Sequence, residues 1–102
     1  MIDLVRSNLP QIEALCRRHR VRRLFLIGSA VDETFDPDRS DLDFLVEFEP
    51  HERKGFDDVY FLLLEDLKQL FGREVDLIEA RALRNPYLIA SINRTKKMLY
   101  AA

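Results

Sequence analysis

Apolar residues Leu9, Ile12, Leu15 and Cys16 recur at helical spacing near the start of the chain. Ser7 or Asn8 stands where a helix cap belongs, and Pro10 suits a first turn. Val5 is placed to pack against this helix from outside, and the helix is predicted to end near His19 or Arg20. The period then changes. Val21 to Ile27 is a β-compatible apolar run that stops at Gly28, which predicts a first strand over 22–27. Ala30 to Phe35 predicts a short helix, and Asp36-Pro37-Asp38 a turn.

Leu42, Phe44, Val46 and Phe48 next alternate with Asp41, Asp43, Leu45, Glu47 and Glu49. Period two over this length predicts a strand, which Pro50 ends. His51 to Gly55 reads as a loop. Phe56 to Phe71 predicts a long helix closed by Gly72. Val75 to Glu79 predicts a third strand, and Pro86 opens a last helix running to about Lys96. Residues 98–102 are read as either a short tail strand or a frayed end. The sum is one domain over residues 1–102, of α/β (α+β) class, with a mixed three-stranded sheet flanked by helices. The strand order is left open.

Composition narrows the class. The chain has 102 residues, 47% of them hydrophobic, and a net charge of −2. That suits a soluble domain with a real core and argues against nucleic acid as the partner. A domain this small leaves much surface exposed, so a homo- or hetero-oligomer is compatible with it. Cys16 is the single cysteine, which excludes an internal disulfide and is expected to be buried packing. No apolar run approaches a membrane span and no signal-peptide pattern opens the chain, so a cytoplasmic protein is expected.

Charge is unevenly placed. Arg17, Arg18, Arg20, Arg22 and Arg23 form a basic block, read as a solvated helix end. An acidic block follows, from Asp32 to Glu49. Within it, Asp41 and Asp43 lie two apart on the predicted second strand, so both side chains leave one face. Like charges held that close repel unless a cation sits between them. Hard oxygen ligands of this kind suit magnesium, which binds through one or two carboxylates plus substrate phosphates. Gly28-Ser29, at the end of the first strand, offers close backbone approach and a hydroxyl for phosphate oxygens. Asp76, inside the apolar third strand, could complete the carboxylate cluster or accept a proton from an attacking hydroxyl. Each feature alone has an ordinary explanation: a solvent face, a turn, an edge-strand charge. Their combination is more specific than any part.

Read together, Gly28-Ser29, Asp41-x-Asp43 and Asp76 resemble the DNA polymerase β-like nucleotidyltransferase superfamily. The length is similar to that of minimal nucleotidyltransferases, the antitoxin partners of HEPN-domain toxins. The resemblance extends over R-R-H-R-V-R-R-L-F-L-I-G-S, G-R-E-V-D-L-I-E and R-N-P-Y-L-I-A-S-I. It implies that Gly28 and Ser29 hold the triphosphate and that Asp41 and Asp43 ligate magnesium, as two ions. It implies that Asp76 is the third carboxylate and metal ligand, helping to activate the acceptor. The implied reaction moves AMP from ATP to a protein hydroxyl, a tyrosine of a HEPN toxin, and so silences the toxin. Many relatives carry an arginine, often followed by glycine, three and four positions after the motif serine, where this chain has Asp32 and Glu33. Arg39, Arg53 and Lys54 are candidates for the missing positive charge.

Val59 to Leu64, with Leu67, Leu70 and Phe71, is apolar on every side of its helix. That predicts enclosure in the core, the alternative being a partner surface. His19 and His51 lack metal-ligand spacing and are expected at the surface. Ser29 lacks a nucleophile-elbow context. A fold-retaining module that neutralises a toxin by binding alone is the competing function. A nucleic-acid-modifying transferase would need a further binding domain for which the chain has no room.

Overall fold

The computed structural model describes residues 1–31, 34–50 and 58–102. The elements are α1 (Asp3–Arg6), α2 (Leu9–Arg18), β1 (Val21–Ile27), β2 (Leu42–Phe48), α3 (Val59–Phe71), β3 (Val75–Glu79), α4 (Pro86–Thr95) and β4 (Lys97–Ala101). Short 3-10 turns at Gly28–Ala30 and Ala80–Ala82 follow β1 and β3. The sheet order is β3-β2-β1-β4. β1 runs antiparallel to both β2 and β4, and β2 runs parallel to β3.

The sheet therefore has four strands where three were predicted. The tail resolves into β4, with Leu24 opposite Tyr100 and Phe25 opposite Met98. Five residues with weak alternation carry little strand signal of their own. An open edge on β1 supplies the ladder partners that fix them.

Local chemistry accounts for the helix ends. Pro10 opens the first turn of α2, which buries Ile12 and Cys16 one turn apart. Asn8 occupies the cap position but does not cap: its Nδ2 donates to the Leu4 carbonyl at 2.8 Å, tying α1 to α2. α3 starts at Val59 rather than Phe56. Asp58 caps it, with Oδ1 accepting from the Tyr60 amide at 2.7 Å, and left-handed Gly72 ends it. Phe56 and the loop at His51 to Gly55 lie outside the described residues. Asn85 caps α4 through bonds from the amides of Tyr87 and Leu88.

Two apolar clusters lie on opposite sides of the sheet. On the first face, Leu24, Leu26, Leu42, Phe44, Val46, Val75 and Leu77 pack under Ile12 and Cys16 of α2 and under Leu63, Leu67 and Phe71 of α3. Val5 of α1 is fully enclosed there, and the rings of Phe44 and Phe71 stack at 6.0 Å. Burial pushes the Cys16 thiol up to about 12, so this cysteine is a small inert hydrophobe as expected. The second face is thinner: Phe25, Ile27 and Leu45 meet Ile92 of α4.

Two expectations fail here. α3 is not enclosed. Its Leu63, Leu67 and Phe71 are buried, while Phe61 and Leu62 are exposed. Only its first-face stripe finds a partner layer. His19 is not a surface residue. It is 7% exposed, and its Nε2 lies 2.6 Å from Asp66 Oδ2 on α3. The chain reverses just beyond it, with Arg20 at φ 59, and this turns the end of α2 inward against α3. The basic block itself is mostly solvated, apart from Arg23, which binds Glu47 of β2 at 2.7 Å. No helix among the described residues is long and apolar enough to cross a membrane.

The His19–Asp66 contact links α2 to α3 across the lid of the main core. His19→Ala is expected to cost about 1–3 kcal/mol, the range for losing a buried hydrogen bond to a charged group. Urea midpoints of the two proteins test this, and coincident curves would show that the contact contributes nothing.

Candidate active site

The ladders place the candidate residues directly. Ile27 of β1 lies opposite Asp43 of β2, and Asp43 lies opposite Asp76 of β3. Directly opposed residues share a face, so Ile27, Asp43 and Asp76 form one row across the sheet. The next row on that face is apolar: Met98, Phe25, Leu45 and Ile78. The carboxylates thus stand at one end of the thinly covered face, beyond its small core.

Gly28 adjoins this row. It takes up φ 74, and a Cβ built on it would lie 2.5 Å from Asp43 Oδ2. Glycine is required there twice over, for the left-handed backbone and for the space the carboxylate fills. Ser29 follows, half-buried in the 3-10 turn. The turn is anchored by its neighbours: Val31 N–H donates to the Gly28 carbonyl at 3.1 Å, and Ile2 N–H to the Ala30 carbonyl at 3.2 Å.

Asp43 has its pKa raised to about 6. Burial is the largest cause, followed by the charge of Asp76, a hydrogen bond with the Asp76 side chain, and the charge of Asp41. Asp43 and Asp76 are therefore in contact. Asp41 is exposed and lies immediately before β2 rather than within it. A closed turn delivers it there: the Ser40 amide donates to the Asp36 carbonyl at 2.8 Å, and the Asp38 amide to Asp36 Oδ1 at 2.9 Å.

Of the helix predicted over Ala30–Phe35, residues 32 and 33 lie outside the described residues, and the described ones do not continue a helix past Ala30. The 3-10 turn ends at Ala30, and Thr34 to Asp36 are not helical. Its polar stretch lacks the apolar periodicity that would give a helix something to bury. Asp32, Glu33, Arg53 and Lys54 lie outside the described residues, and Arg39 is an exposed turn residue. Arg73 was not singled out from the sequence. Its guanidinium lies 5.1 Å over the Phe35 ring, two residues before β3, at the carboxylate end of the sheet. Its Nε is buried with no hydrogen-bond partner among the described residues. Nothing in the sequence pairs positions 35 and 73, so only the fold could show this contact.

Among the described residues, no three His, Cys, Asp or Glu side chains are grouped so as to hold an ion unaided. The donor set nevertheless fits magnesium. Asp43 and Asp76 touch, Asp41 adds its charge, and magnesium keeps open positions for phosphate oxygens and water. The glycine backbone beside Asp43 leaves room for such a ligand.

Known proteins share the family and the fold. The nucleotidyltransferase domain family matches residues 11–98, and the chain belongs to it. Among its relatives is "Putative protein adenylyltransferase MJ1379" of Methanocaldococcus jannaschii, 32% identical over 84% of this chain and 92% of that protein. The solved structure of a "putative minimal nucleotidyltransferase" superposes with a TM-score of 0.76 at 32% identity, covering 94% of this chain and 95% of that one. The fold is also similar to that of a chain in the solved structure of "tri-AMPylated Shewanella oneidensis HEPN toxin in complex with MNT antitoxin". There the TM-score is 0.66 at 19% identity, covering 95% of this chain and 72% of that one.

Two outcomes follow from the geometry. Gly28→Ala forces both a strained backbone and a clash with the Asp43 carboxylate. It should cost about 1 kcal/mol or more, read from thermal or urea unfolding; an unchanged midpoint would contradict the close approach. The Asp43 shift fixes a sign. The folded state holds this proton more tightly than the unfolded state, whose value is the ordinary 3.8. The stabilisation from Asp43 is therefore full below pH 4 and lost as pH rises through about 6. In EDTA, Asp43→Asn should be more stable than the wild type at pH 7.5 and no more stable at pH 3.5. An advantage that persisted at low pH would contradict the assignment.

Proposed function

We propose that this nucleotidyltransferase transfers AMP from ATP to a protein hydroxyl, a tyrosine of a HEPN toxin, and acts as the toxin's antitoxin in the cytoplasm. The observation that carries the reading is the Asp43–Asp76 contact against Gly28 at one end of the sheet. Gly28 and Ser29 cradle the triphosphate, with backbone amides and a hydroxyl facing its oxygens. Asp41 and Asp43 hold the metal, as two magnesium ions, and Asp76 completes the carboxylate set. Magnesium, when bound, neutralises the triphosphate and orients an in-line displacement. Asp76 takes the proton of the acceptor hydroxyl as its oxygen bonds to the α-phosphorus and pyrophosphate leaves. Positioning and electrostatics supply the rate, so few dedicated side chains are needed. Support comes from the adenylyltransferase name of the Methanocaldococcus relative and from the AMPylated toxin in the Shewanella complex.

A second reading keeps the fold but neutralises the toxin by binding alone. Asp32 and Glu33 favour it, since they stand in the sequence where many relatives carry an arginine and a glycine. Incubation with labelled ATP, magnesium and a HEPN-domain toxin separates the two. Label should appear on the toxin, and Asp43→Asn should reduce it by about two orders of magnitude, the scale for removing a preorganised electrostatic contact. The same variant should lose protection of cells while remaining folded. Undiminished protection by Asp43→Asn would favour masking.

A further inference from the structure

Asp76 stands on a strand with a neighbour on one side only. The sheet order puts β3 at an edge, with β2 beside it and no strand beyond it among the described residues. The β2–β3 ladder also begins loosely at the carboxylate end. The Leu42 amide donates to the Glu74 carbonyl at 3.4 Å, longer than the roughly 2.9 Å usual for such a bond. Beside this weak start, Asp43 and Asp76 are in contact and repel once both are ionised, as a bound cation requires. An edge strand of five residues, Val75–Glu79, therefore needs a hold on its open side.

Tyr60 occupies that side. The Leu42–Glu74 bond shows that Glu74 turns its carbonyl toward β2. Backbone groups alternate sides along a strand, so Leu77 turns its carbonyl away from β2. The Tyr60 hydroxyl donates to that carbonyl at 2.5 Å. Tyr60 is itself held at the start of α3, where the buried cap Asp58 accepts from its amide at 2.7 Å. Its ring packs against the main core, and the Phe61 ring meets it edge-on at 5.1 Å. The side chain thus reaches from the first face to the outer edge of β3. Burial, then the charges of Glu79 and Asp76, raise the Tyr60 pKa, so the hydroxyl keeps its proton and stays a donor. A cavity of about 440 Å³ lies beside this contact, lined by Tyr60, Phe61, Leu77, Ile78, Glu79 and Ala82. Water in it can take over the Leu77 carbonyl if the hydroxyl is removed.

We infer that Tyr60 is a positioning residue for the carboxylate pair: by holding the Leu77 carbonyl it keeps β3 against β2, and so keeps Asp76 opposite Asp43 when both are charged. This rests on the carboxylate site proposed above and adds what maintains it. The hydroxyl acts on the residue next to Asp76 in the chain. A displacement of about 1 Å in a positioned group can cost about two orders of magnitude in rate. The donor side is untouched, because Gly28 and Ser29 belong to the turn after β1, on the far side of β2 from β3.

Tyr60→Phe removes the hydroxyl and keeps the ring. Amide hydrogen exchange, followed by NMR in EDTA without ATP, reads the hold on β3 directly. The amides of Asp76 and Ile78, which point into β2, should exchange about tenfold faster or more in the variant, and by a larger factor than those of Leu24 and Leu26 in β1. His19→Ala, which loosens the main core elsewhere, should not single out β3. In AMP transfer, Tyr60→Phe should lower kcat about tenfold or more and leave the KM for ATP within about threefold. Phe61→Ala, at an exposed site, removes the ring that steadies Tyr60 and should give the same exchange pattern more weakly. It serves in place of Tyr60→Phe if melting curves show that the latter does not fold. The exchange measurement needs neither metal nor nucleotide, so it decides the inference even where no AMP transfer is found. Unchanged exchange in β3, or equal acceleration of β1 and β3, would overturn the inference, as would a raised KM for ATP with kcat unchanged.

Discussion

Two carboxyl groups that face each other across a parallel ladder cannot both be charged and remain in contact. Something positive must join them. Asp43 and Asp76 are brought opposite each other by backbone pairing, and a hydrogen bond joins their side chains. Burial and the neighbouring carboxylates raise the Asp43 pKa to about 6, so it holds a proton in mild acid where a free aspartate has lost it. A proton relieves the repulsion in the free protein, and a divalent cation relieves it better. The site is thus a place where the fold stores an electrostatic demand that a metal-bound triphosphate can satisfy.

The sheet can sustain this because its two faces are unequal. The first face carries the main core, sealed by α2 and α3 and cross-linked by His19 and Asp66. Stability rests there. The second face carries only a small cluster under α4, and its carboxylate end needs no apolar cover. β1 is apolar on both faces at Leu24 to Ile27 because it is the strand both clusters share. Gly28 follows directly, where the apolar run stops and the backbone must turn past Asp43.

Charge along the chain has the same division in space. Carboxylates concentrate between β1 and the start of β3, and cations without acids fill the segment after β3. The fold sets α4, which carries Arg94, on the same side of the sheet as Asp43 and Asp76.

Periodicity alone determined the helices at Leu9 and Pro86 and the strands at Leu42 and Val75, because each buries one face and the pattern of burial is written in sequence. The Gly28-Ser29 and Asp41-x-Asp43 spacing likewise made the candidate chemistry readable before any coordinates. Tertiary structure decided the rest. β4 exists because β1 has an edge to fill, and α3 remains open on its Phe61 side because only one layer covers it. His19 is buried because the chain reverses at Arg20 and brings it to Asp66, 47 residues away. The meeting of Asp43 with Asp76 depends on strand order and register. Those are set by long-range pairing, and no local pattern contains them.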